Sequence, residues 1–148
     1  MKPDAAHALE RVLQALLTEV APAVEPAYRK ATVTVHAMIL LAIREEVDRA
    51  AARRFEENRA LRALFAEAAP AVAERALRER VAAAAASADA SLLVPELDES
   101  NRALRALLIE LHAHVEAQRG EAARRIEDAI WRELAASTER RKLSFGPC

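Results

Sequence analysis

A chain of 148 residues with 53% hydrophobic content is long enough for one folded domain and too apolar for disorder. Its 22 Lys+Arg against 23 Asp+Glu give a net charge of −1, which excludes a generally basic nucleic-acid binder. One cysteine excludes a disulfide framework and a cysteine zinc site, and two glycines, Gly120 and Gly146, exclude a glycine-rich phosphate loop.

Alanine supplies about a quarter of the chain, and with so little glycine and so few β-branched residues it favours helix over sheet. Asp4 is placed to cap a first helix, in which Leu9, Val12, Leu13, Leu16, Leu17 and Val20 recur at helical spacing. Pro22 and Pro26 interrupt the pattern. A strongly apolar stretch over 31–47 then gives way to charge and alanine over 49–59. This predicts one long helix to about Arg54, a break near Phe55–Asn58 and a shorter helix to about Ala68, with one continuous helix as the competitor. Residues 71–90 are alanine-rich and helix-compatible, and 92–97 form an apolar connector expected to pack down. Asp98 or Ser100 is then the expected cap of a helix through Val115, with Gly120 at its C-terminal stop. A last helix is expected from Glu121 to about Arg140. The whole is expected to be one all-α helical bundle of five or six helices over 1–142, with an irregular tail over 143–148.

A segment recurs three times. Residues 11–24 read RVLQALLTEVAPAV, 59–72 read RALRALFAEAAPAV and 102–115 read RALRALLIELHAHV. The first two agree at 9 of 14 positions and the last two at 8, with offsets of 48 and 43 residues. Each copy carries the same apolar stripe, so three related helix pairs over about 4–54, 56–90 and 98–141 are expected. A solenoid of stacked pairs and a closed bundle both satisfy a period in the forties. Chance likeness among Ala-, Leu- and Arg-rich helices is the competing account of the repeat.

The helix through 31–47 is apolar on all sides and must be covered on all sides. It is either the centre of the bundle or part of a subunit interface, and Met38 and Leu41 are the residues at stake. Trp131 lies off the centre of its helix's stripe, as a lid over the core or as an interface anchor. A homo-oligomer or a partner protein is therefore expected. Neither nucleic acid nor membrane is expected as a partner. The run over 31–43 is shorter than the roughly 20 residues a spanning helix needs. The first nine residues lack the basic start and apolar centre of a signal peptide, so the expected compartment is the cytoplasm.

No catalytic residue and no cofactor emerge. Cys148 is the last residue, with no scaffold to hold a base against it. His36 lies mid-stripe with Val33, Ile39, Leu40, Ile43 and Val47 and is expected to be buried. His112 and His114 flank their helix stripe about 200° apart, too far round to share an ion. Each forms an i,i+4 pair with a glutamate, Glu110/His114 and His112/Glu116. A metal or small-ligand pocket from His36 with His112 or His114 is thus the alternative to a purely structural role. Arg140-Arg141-Lys142 is the one basic cluster with little local compensation. A transcriptional regulator is the third reading, although no helix-turn-helix signature supports it.

The stretch Glu19-Val20-Ala21-Pro22-Ala23-Val24-Glu25, followed by an apolar helix with His36 and Arg44-Glu45-Glu46, resembles the start of a family of small uncharacterised bacterial all-helical proteins. Members of that family are encoded beside acyl-CoA dehydrogenases and kinase-like phosphotransferases. The resemblance covers the first third of the chain, carries over no catalytic residue and implies an accessory role.

Overall fold

Asp4 opens the first helix in the way its chemistry allows, its Oδ1 accepting from the His7 amide at 3.0 Å. Helix α1 (Ala5–Ala15) widens into a π-type turn over Leu16–Val20 and closes with a single turn, α2 (Ala21–Ala23). The widening falls just before Pro22, whose ring would clash with the Thr18 carbonyl of a regular helix. Helix α3 (Ala27–Ala68) follows, then a 3₁₀ turn over Ala69–Ala71, α4 (Arg75–Ala85), α5 (Val94–Glu116) and α6 (Glu121–Arg141). The computed structural model describes residues 4–144, and among these there is no strand. The chain is all-α, of about five helices once α2 is counted with α1.

The described residues form two compact units whose boundary falls inside α3, between Ala50 and Ala51. The first unit holds residues 4–50 with Leu143 and Ser144. Its helices run antiparallel, and Arg44 on α3 pairs with Glu10 on α1 at 3.5 Å. Its fully buried residues are Ala21, Ala37, Glu45 and Ala50, and none of them is a large hydrophobe. The second unit, Ala51–Lys142, holds the hydrophobic core. There Leu61, Leu64, Phe65 and Val72 meet Leu77 and Val81 of α4, Leu104, Leu107, Leu108, Leu111 and Val115 of α5, and Ala123, Ile126 and Ile130 of α6. One face of each helix supplies these residues, at the 3- and 4-residue spacing that puts them on a common side.

Three boundaries depart from the sequence reading. The expected break near Phe55–Asn58 is absent, and α3 runs through it. Glu57 and Asn58 point inward there and are held by side chains from α5 and α6, so the polar run does not interrupt the helix. Helix α5 begins at Val94, with Pro95 in its first turn, rather than at Asp98 or Ser100. Proline suits that turn because its missing N–H would have had no partner within the helix. Most of the 92–97 connector is therefore helix. Gly120 does not stop α5 but stands at the N-cap of α6 with φ +117° and ψ 172°, a conformation close to glycine-only.

The repeated segment has a structural counterpart. In the first two copies the APAV ending forms a short tight turn closed by an N–H···O bond, Val24 to Ala21 at 3.4 Å and Val72 to Ala69 at 3.3 Å. The next helix starts at Ala27 and at Arg75, again 48 residues apart. In the third copy the proline position is Ala113, and α5 continues to Glu116. The tail residues 145–148, Cys148 among them, lie outside the described residues.

Candidate functional site

The first half of α3 turns an apolar face outward. Val35, Ile39, Ile43 and Val47 are 44–53% exposed, and by their four-residue spacing they share one side with Tyr28 and His36. On α1 and its π-type turn, Val12, Leu17 and Val20 are also exposed. His36 corrects the expectation of a buried histidine. Periodicity placed it within an apolar stripe, but that stripe is the face turned away from α1, and His36 is exposed. Met38 is 57% exposed but lies about 120° round the helix from the centre of this face. Leu41 is not on it either. It is half-buried and lines a recess with Arg44, Glu45, Asp48, Arg49 and Ser144.

In that recess Glu45 receives two hydrogen bonds from Ser144, from the backbone N–H and from the hydroxyl, both at 2.8 Å to Oε2. Arg49 donates to its other oxygen at 2.6 Å. These donors, Ser144 first, hold the Glu45 carboxyl down at about 2.

The second unit contains two buried polar clusters. Asn58 is fully buried, donating to Asp89 Oδ1 at 3.0 Å and to the Leu97 carbonyl at 3.2 Å, while its Oδ1 accepts from Asn101 at 2.9 Å. Arg62 closes on Asp89 with two bonds of 2.8 and 2.9 Å and also donates to Ser87 and Ser100. The fork of Arg62 keeps the Asp89 carboxyl below its ordinary value. The second cluster centres on Glu57, which accepts from Arg105 at 2.5 Å and from Arg141 at 2.8 Å. Burial opposes the charge on Glu57, and the two guanidiniums outweigh it, leaving its carboxyl below normal. Burial wins at Glu133, raising its carboxyl despite the Arg140 partner.

This accounts for the basic cluster at the C-terminal end. Arg140 pairs with Glu133, Arg141 with Glu57 and Lys142 with Glu139, so its charges are spent within the second unit. Sequence reasoning missed Asn58 and Asn101. A signal was available: they are the only asparagines in the chain, and each stands immediately before a copy of Arg-Ala-Leu-Arg-Ala-Leu.

His112 and His114 are half-buried on α5. His114 accepts from Gln118 and has Glu74 at 4.0 Å. The His112 ring meets Trp131 edge-on, with centroids 5.4 Å apart and planes at 87°. Trp131 is 54% exposed, so it covers His112 with one side and faces solvent with the other. Among the described residues, His36 belongs to the first unit, whereas His112 and His114 belong to the second.

A hollow of about 320 Å³ opens between α3 and α6, lined by Leu64, Glu67, Ala68, Ala71, Ala122, Arg125, Ile126 and Ala129. It is at the small end of ligand pockets, and its lining offers one carboxylate and one guanidinium with no nucleophile. No helix among the described residues is long and apolar enough to cross a membrane. The chain matches no protein-family model, no curated protein and no solved structure.

Proposed function

We propose that the protein is a homo-oligomer built through the outward face of α3's first half, with an accessory role in the cytoplasm rather than a catalytic one. The observation that carries this is the row Val35, Ile39, Ile43 and Val47, left exposed along one side of a helix. Contiguous apolar surface of this kind marks an interaction site on a stable protein. The occupant that fits is a second copy. A two-helix hairpin has no interior of its own, and two of them packed face to face make a four-helix bundle with a shared core. A two-fold contact also closes, so assembly stops at a finite size. The resemblance of the first third to small bacterial helical proteins agrees with an accessory role.

Light scattering at micromolar concentration tests the proposal. The wild-type chain is expected at twice its 16.2 kDa mass. Ile39→Glu puts a charge on the face without touching the second unit's core. It is expected at 16.2 kDa with its helical circular dichroism retained. A wild-type mass of 16.2 kDa at every concentration overturns the proposal.

A further inference from the structure

His112, Glu116 and Glu127 converge where α5 packs against α6. His112 and Glu116 are one turn apart on α5, and Glu127 reaches in from α6. One ligand atom from each lies within 4.8 Å of the other two. His112 Nε2 is closed off from solvent and makes no hydrogen bond, with the Glu116 carboxylate 3.6 Å away. A buried ring nitrogen beside two carboxylates that hydrogen-bonds to neither is unusual, because ordinary pairing would draw them to about 2.8 Å. A shared ion accounts for the spacing. Bonds of about 2.0–2.2 Å at tetrahedral or octahedral angles put ligand atoms roughly 3–4 Å apart. Reaching that from the observed spacing needs a swing of roughly 1 Å, which the exposed Glu116 side chain can supply.

Three further observations bear on the same point. In this arginine-rich chain neither Glu116 nor Glu127 pairs with an arginine among the described residues. Trp131 packs against the His112 ring in a T-shaped contact and limits its rotation. In the repeat, His112 occupies the position held by Ala21 and Ala69 in the other two copies, so the apolar frame does not require a histidine there.

We infer that His112 Nε2, Glu116 and Glu127 bind a first-row divalent transition-metal ion such as Zn²⁺, with the remaining positions open to water. One imidazole and two carboxylates suit this class of ion. The site is distinct from a pocket involving His36, which lies on the exposed face of the first unit.

Untagged, chelator-treated protein titrated with Zn²⁺ in a calorimeter is expected to bind one equivalent. Co²⁺ is expected to quench the fluorescence of Trp131, the only tryptophan in the chain, and Zn²⁺ to reverse the quenching by competition. Glu127→Gln and Glu116→Gln are each expected to weaken Zn²⁺ binding by about 10-fold or more, the scale on which even outer partners of a metal act. His36→Gln is expected to leave it unchanged. Helical circular dichroism checks that each variant is folded, and Glu116, being exposed, can be changed without disturbing the core. The inference is overturned by wild-type protein that takes up no Zn²⁺. Zn²⁺ binding that survives both glutamate substitutions overturns it equally.

Discussion

Leu64 and Phe65 are buried in the second unit, while Leu16 and Leu17, at the same positions of the first copy, are half-buried and 43% exposed. Leu107 and Leu108 repeat the buried pattern in the third copy. One local sequence thus meets two fates. In the second unit three helices besides α3 are available to cover the stripe. In the first, among the described residues, α1 with the short α2 and the first half of α3 are the only helices. An amphipathic helix specifies a face that wants cover, and the number of neighbouring elements decides whether one chain can provide it.

The comparison is broken most severely by Phe65→Ala. At a fully buried position this is expected to cost about 3–5 kcal/mol in urea unfolding, independent of protein concentration. Leu17→Ala, its counterpart, is expected to cost about 1 kcal/mol or less in the isolated chain, since the side chain is already partly in water. Any larger effect of Leu17→Ala should grow with protein concentration, because it would act through assembly. Equal, concentration-independent losses at the two positions would contradict the distinction between the units.

Asn58→Ala sharpens the same contrast at a smaller scale. It leaves the Asn101 amide without its acceptor inside the second unit, while Asp89 keeps Arg62. An expected loss of about 2–3 kcal/mol follows from stranding buried polar groups. A loss under about 0.5 kcal/mol would show that the amide pair is not a fixed part of the core.

The smallest effect belongs to the first unit and depends on pH. The Glu45 carboxyl is lowered from 4.5 to about 2 by its donors, Ser144 foremost. A depressed carboxyl stabilises the folded state above its unfolded value and loses that contribution as pH falls through its folded one. The Ser144 attachment should therefore hold above pH 4.5 and release as pH falls towards 2. The Ser144 amide shift in an NMR titration reads this directly, and a midpoint at 4.5 would contradict the bonding described.

Much of the architecture was legible in the sequence. The Asp4 cap, the stripes of α5 and α6 and the all-helical class all follow from short-range chemistry. What escaped depends on residues distant in the chain. The change to charge and alanine over 49–59 reads as a break near Phe55–Asn58 until Arg105 and Arg141 are seen to neutralise Glu57. His36 could be placed on a stripe, but period alone does not say which of two apolar sides α1 will cover. Of the His112, Glu116 and Glu127 convergence, the i,i+4 half was visible. The third corner comes from another helix, and no spacing along the chain encodes it.

The Asn58–Asn101 pair has a consequence for alignment. Helices faced with alanine and leucine fit one another nearly as well after sliding by one turn, about 5.4 Å, since each step presents a similar small and large side chain. A buried amide does not allow that slide, because moving one asparagine strands both. The two asparagines therefore act as a locating pin between α3 and α5. They select one sliding position among several that the hydrophobic residues alone would accept.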